Sequence, residues 1–202
     1  MKKFVLVLLI LAVVGSSAFA FNIKTFPSPI EKRSLLISPG VAIGINVNSW
    51  DLTGFQLGIP VSIEYALPIN FALTVGGQTG VGLGFTSSGG GTMLSIPIMA
   101  KVAWHPNFEV KNLDLYYAIK MGLAIGIWAG APDGWKKAGA GFAFGTDIGI
   151  RYFFTPKFGI NGEVGWDGAW IKFKPKNGGG WWWSHVRHSP NTFLTVGVTF
   201  LI

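Results

Sequence analysis

The stretch Asp114-Leu115-Tyr116-Tyr117-Ala118-Ile119-Lys120-Met121-Gly122-Leu123-Ala124-Ile125-Gly126-Ile127 changes character at every residue. Leu115, Tyr117, Ile119, Met121, Leu123, Ile125 and Ile127 share one parity; Asp114, Tyr116, Lys120 and four small residues share the other. Successive side chains of a strand point to opposite faces, so a period of two predicts a β-strand with one continuous apolar face. The other face decides the environment. In a soluble sheet it would meet water and carry lysines and glutamates. Here it is small residues with single charges, which suits the cramped interior of a narrow barrel whose apolar face is turned to lipid.

The same alternation recurs in seven further segments. Val41, Ile43, Ile45 and Val47 oppose Ala42, Gly44, Asn46 and Asn48; Phe55, Leu57, Ile59, Val61, Ile63 and Tyr65 oppose Gln56, Gly58, Pro60, Ser62 and Glu64. Phe71, Leu73 and Val75 resume as Val81, Leu83 and Phe85 after a glycine-rich middle; Leu94, Ile96, Ile98, Val102 and Trp104 oppose Ser95, Met99 and Lys101. Phe142, Phe144, Ile148, Ile150, Tyr152 and Phe154 oppose Gly145, Asp147, Gly149 and Arg151; Phe158, Ile160, Val164 and Trp166 oppose Asn161, Glu163 and Asp167. Leu194, Val196, Val198, Phe200 and Ile202 close the chain against Thr195, Gly197 and Thr199. The predicted fold is an eight-stranded antiparallel up-and-down transmembrane β-barrel. Links at one end (Leu67 to Asn70, His105 to Asn112, Thr155 to Lys157) are mostly tighter than those at the other (Asn48 to Gly54, Thr86 to Thr92, Ala129 to Lys137, Lys172 to Pro190). Aromatic residues cluster at both ends of the apolar faces, where amphipathic rings favour a membrane interface. Pro60 and Pro97 remove ladder hydrogen bonds and predict bulges.

Composition agrees. Half the residues are hydrophobic and only 12% charged, against about 25% charged in ordinary globular chains. That excludes disorder, and the absence of cysteine excludes a disulfide scaffold or a thiolate metal site. The charge-free stretch from Tyr65 to Ala100 is broken by glycines and by Pro68 and Pro97, so it cannot span as a helix. Phe4 to Val14 is too short to span, since a helix needs about 20 residues. Behind Lys2 and Lys3 and before Ser17-Ala18-Phe19-Ala20, it reads as a signal peptide over residues 1–20, leaving a barrel domain over 21–202.

By pattern the chain resembles the small eight-stranded outer-membrane proteins of Gram-negative-type envelopes, the OmpA-transmembrane, OmpX and OmpW grouping. Thr195, Gly197, Phe200 and Ile202 in the last segment resemble the C-terminal signal read by the barrel-assembly machinery, with Ile where Phe is usual. The resemblance implies an outer-membrane location with a periplasmic N-terminus, a monomeric barrel of structural or surface-interaction type, and no cofactor.

The inward parity carries Glu64, Lys101, Lys120, Asp147, Arg151 and Glu163, with Asp114 and Asp167 nearer strand ends. Buried charges are tolerable only when paired, so these read as an ionic plug filling a lumen too narrow to conduct; the competing reading is a narrow channel for ions or small hydrophobic solutes. Above the plug, Gly44, Gly58, Ser62, Ser95, Gly122, Ala124, Gly126, Gly141, Ala143 and Gly145 suggest a cup open to the outside. The OmpW resemblance would imply a small hydrophobic ligand that leaves it sideways; the rival account is that glycine lets a tightly curved barrel close. The last external link holds Lys174, Lys176, Trp181, Trp182, Trp183, His185, Arg187 and His188. Indoles beside cations suit sugar rings or lipopolysaccharide phosphates, and equally suit the outer interface or the barrel mouth. Export and lipid-facing strands place this basic patch outside the cell, which argues against nucleic acid as a partner. Lipid A acyltransferases and deacylases resemble this scaffold, but Ser184, His185, His188 and Ser189 have no acid in their loop, which argues against an enzyme. His105 has no metal-ligand spacing to another histidine and reads as a solvated turn residue.

Overall fold

The computed structural model describes residues 25–48, 52–69, 71–86, 92–131, 133–176, 185–188 and 191–202. The proposed signal peptide and Trp181–Trp183 lie outside them. Each of the eight alternating segments forms a strand and a short ninth, β8, lies in the last link: β1 (Leu35–Asn48), β2 (Leu52–Ala66), β3 (Leu73–Thr86), β4 (Thr92–Trp104), β5 (Leu113–Trp128), β6 (Ala138–Thr155), β7 (Phe158–Phe173), β8 (His185–His188) and β9 (Asn191–Leu201). Neighbours in the chain pair antiparallel from β1 to β7, β9 pairs with both β7 and β1, and the ring closes. Closure leaves no unpaired edge, the condition for crossing a bilayer with strands.

The short β8 pairs only with β7, and Trp170↔His188 keeps the register of Asp167↔Asn191. It therefore extends the line of β9, and the ring has eight staves. This corrects the long final link: Lys172 and Phe173 belong to β7, and His185, Arg187 and His188 belong to β8. Phe71 lies just before β3, which begins at Leu73.

The expected bulges at Pro60 and Pro97 are absent. Pro39↔Val61 and Ala42↔Gly58 share one register, as do Thr79↔Ile98 and Gly82↔Ser95, so pairing is interrupted without slipping. Each proline stays paired on its other side, Pro60 with Gly80 and Pro97 with Ala124. One intact ladder suffices to hold register. Among the described pairings the register shifts between Phe153 and Thr155, beside the tight 156–157 turn.

The exterior is apolar: Ile59 and Leu123 are 63% and 65% exposed, and comparable residues follow on every stave. A soluble monomer rarely exposes more than a few hundred Å² of such surface in one patch, so this wall faces lipid. Tyr152, Phe154, Phe158 and Phe200 form a chain of ring contacts at the end where Leu35 and Ile202 lie. Phe142 packs on Trp170 and Phe144 on Trp166 at the other end.

Two apolar clusters bracket the interior. At the lower end, residues 25–34 fold beneath the barrel, tied by Arg33 N–H to Ala66 O at 2.8 Å and by Asn107 Nδ2 to Phe26 O at 3.2 Å. They seat Phe26 and Ile30 against Leu36, Ala66, Ala72, Phe153 and Leu201 as a stopper. Higher up, Trp128, Ile171 and Phe173 pack over Met99, Ala124 and Ala143. Here the space inside Gly126 of β5 is filled, while Ala124 of β5 and Ala143 of β6 border an open cavity. A Cβ on Gly126 would lie 2.8 Å from Ile171 Cδ1, so this glycine makes room for a β7 side chain, whereas Gly122 and Gly141 lie against neighbouring backbone. A cavity of about 100 Å³ lies toward β1–β4 and is lined in part by Ala42, Gln56, Gly58, Gln78 and Ser95.

Candidate functional site in the lumen

Inward parity brings Glu64 from β2, Lys101 from β4, Asp114 and Lys120 from β5, Asp147 and Arg151 from β6, and Glu163 from β7 into one buried group. In its lowest layer Arg151 donates to Asp114 Oδ2 at 3.1 Å and to Glu64 Oε1 at 2.5 Å, and Thr74 Oγ1 donates to Glu64 Oε2 at 2.8 Å. In the middle Lys101 Nζ lies 3.2 Å from Glu64, 3.3 Å from Glu163 and 3.7 Å from Asp147. Tyr116 donates to Glu163 and lies under the Arg151 guanidinium, 4.0 Å from ring centroid to Cζ. At the top Lys120 Nζ lies 3.4 Å from Asp147 and 3.1 Å from Asp167, whose side chain is 28% exposed toward the cavity. All six residues expected to form the lumen charge network are thus joined, and Asp114 and Asp167 extend it.

His105 is a correction. It is fully buried, with Nδ1 2.8 Å from Asp114 Oδ1 and Nε2 3.0 Å from Thr74 Oγ1. Its ring stacks on Tyr116 at 5.5 Å, and Phe26 of the stopper covers it at 5.8 Å. The link carrying it is exposed at Glu109, Val110 and Lys111, but its first residues, His105 and Pro106, turn inward and are buried. Thr74 gives its one proton to Glu64, so its oxygen accepts from Nε2, while Nδ1 faces a carboxylate. Both ring nitrogens donate, which makes His105 an imidazolium. Lys101, Lys120, Arg151 and His105 then stand against five acids, Glu64, Asp114, Asp147, Glu163 and the partly exposed Asp167. Burial lowers the His105 pKa, but the Asp114 charge and the hydrogen bonds to Asp114 and on the Glu64 side outweigh it and raise the value.

Sequence reasoning missed Thr74, His105 and Tyr116 as members of the network. A signal was present for His105: Met99, Lys101 and Ala103 point inward, and two more residues at the same parity reach it. Of the assembly-signal residues Thr195 and Gly197 lie inward on β9, Phe200 lies outward on it at 43% exposure, and Ile202 follows just beyond its end at 71%. Of the external-link residues, Lys174 and Lys176 are exposed, and His185, Arg187 and His188 sit in β8. Among the described residues no group of three or more His, Asp or Glu side chains is spaced to hold a metal ion.

An eight-stave up-and-down ring with a lipid-facing wall and a charge-filled lumen defines the class of small outer-membrane β-barrels. No family model and no curated protein matches the chain. Among solved structures it is similar to Neisserial surface protein A, with TM-score 0.59 and 13% identity over 82% of this chain and 96% of that one. The outer membrane protein OprG from Pseudomonas aeruginosa gives TM-score 0.47 and 11% identity over 89% and 99% of the two chains. Ail, the attachment invasion locus protein of Yersinia pestis, gives 0.46 and 14% over 85% and 100%. At these identities the first likeness is one of fold.

Proposed function

We propose that this chain is an integral outer-membrane protein with a closed lumen, structural or surface-interacting in role, without enzymatic activity, and monomeric. The observation that carries the reading is the double closure of the lower half: the ionic network of Glu64, Lys101, Lys120, Asp147, Arg151 and Glu163 above, and the Phe26–Ile30 stopper below. Residues 1–20 serve as an export leader, the lower end with both barrel termini faces the periplasm, and Thr195, Gly197, Phe200 and Ile202 present the signal for barrel assembly. Outer-membrane lipid, including lipopolysaccharide, is the surrounding partner. Vesicles loaded with potassium and carrying the refolded protein should leak no faster than protein-free vesicles; leakage that scales with protein content would refute closure.

A second reading rests on the cavity toward β1–β4, where Gln78 Oε1 is buried without a hydrogen-bond partner among the described residues. It supports a site for a small, largely hydrophobic solute entering from outside. Protection of the folded barrel by alkyl alcohols, lost in Gly58→Leu, would support that reading, and no protection would remove it.

A further inference from the structure

The links at the upper end are not independent loops. Lys136 N–H donates to Lys174 O at 2.8 Å and Lys176 N–H to Gly134 O at 2.6 Å, on either side of a Trp135–Pro175 bridge. This zips 134–136 to 174–176 as a ribbon above β6 and β7, with Lys136 across from Lys174. Trp135 packs inward against the Trp128–Phe173 cluster, so the alternate residues Lys136 and Lys174 take the outer side. On β7 that side reads upward as Ile160, Val164, Trp166, Trp170 and Lys172, and Lys174 and Lys176 continue it.

Like charges directly opposite on a pair of strands repel. Lys136, Lys174 and Lys176 are exposed, and none has an ion pair among the described residues. A lone acid, Asp133, lies at the exposed turn. Among the described residues the cluster therefore has no anion paired with it. Its height says which anion. At about 3.3 Å per residue, Lys174 stands about 13 Å along the strand beyond Trp170, on the wall that is lipid-facing below. Tryptophans mark the edge of the hydrocarbon and cations just above them meet headgroups. We infer that the outer side of this ribbon, Lys136, Lys174 and Lys176, binds the phosphates of outer-leaflet lipid, fixing one lipid against Trp166 and Trp170. The inference rests on the membrane-spanning part of the proposed function and is independent of whether the lumen conducts.

The test uses the full-length folded protein in phosphatidylcholine nanodiscs doped with bisphosphorylated lipid A or with lipid A lacking both phosphates, with retained lipid counted by native mass spectrometry. The bisphosphorylated form should be retained over the other by about ten-fold or more, as charge-assisted contacts from three lysines allow. K136Q/K174Q/K176Q should abolish the preference and K136R/K174R/K176R should keep it. If the triple glutamine variant does not fold, K174E alone should lower the preference. Equal retention of the two lipids, or an unchanged preference in the folded glutamine variants, would overturn the proposal. So would complete displacement by millimolar inorganic phosphate, which marks a free-anion site, or loss of heparin binding with the lipid preference intact, which marks a soluble polyanion. Leaky vesicles with a retained lipid preference would sink the closed-lumen reading and leave this one standing.

Discussion

Arg151 on β6 and Glu64 on β2 meet across the barrel with Nη2 and Oε1 2.5 Å apart, although these are diametrically opposite staves of the ring. A pair that spans the diameter leaves no passage beside it, because Lys101 and Asp114 occupy the flanks. Removing one member of a buried pair strands the other charge, at a cost of about 3–5 kcal/mol. Arg151→Met is expected to lose that much in urea unfolding from lipid vesicles. Glu64→Gln/Arg151→Met is expected to recover most of it, since Lys101 keeps Glu163 and Asp147, and Asp114 keeps His105. Equal losses in the single and double variants would refute the coupling.

Gly149 lies against the Tyr116 ring, where a Cβ would clash with its Cζ and hydroxyl oxygen. Gly149→Ala must push Tyr116 off Glu163 and Arg151, and overpacking of this kind costs about 1–3 kcal/mol. The unfolding midpoint should fall and the near-ultraviolet tyrosine signal should change. An unaltered midpoint would show that the ring is loosely held.

The lipid-facing wall gives a contrast between neighbours. Ile59→Lys, at the middle of β2, is expected to cost about 2–4 kcal/mol in a bilayer, as for a cation at midplane depth. Ser62→Ala, facing inward and bonded only at 3.5 Å to Glu64, is expected to change stability by less than about 1 kcal/mol. Reversal of that order would place the wall wrongly.

His105 supplies a pH dependence. Its folded pKa is raised, so its contribution is fully present below the unfolded value of about 6.5 and disappears as pH rises through the higher folded value. The groups that face it are Asp114, Glu64 and Arg151, with Thr74 and the rings of Phe26 and Tyr116. Unfolding free energy measured across neutral and mildly alkaline pH should decline in the wild type, and His105→Gln should flatten that decline. A His105→Gln variant with the wild-type slope would assign the dependence elsewhere.

The staves were legible because each side of the wall meets one solvent along its whole length, so Leu115 to Ile127 could be sorted by parity alone. The same parity placed Glu64, Lys101, Lys120, Asp147, Arg151 and Glu163 inside. It did not place His105, because a residue beyond Trp104 looked like part of a turn, and turns usually meet water. The Phe26–Ile30 stopper was invisible for a different reason: Pro27 and Pro29 prevent any period, and its partners Ala72, Phe153 and Leu201 are distant in sequence. The filling of the space above Gly126 by Ile171 depends on two staves being compared at one height, which register alone supplies. Pro60 and Pro97 misled by suggesting bulges where an intact second ladder holds the strand.

Planar-bilayer recording of the refolded wild-type protein tests the closed lumen most directly. The account predicts no stable unitary currents, since the Arg151–Glu64 pair and the stopper close the same half of the barrel. Stable unitary currents that vanish or change ion selectivity in Lys120 or Arg151 variants would contradict it.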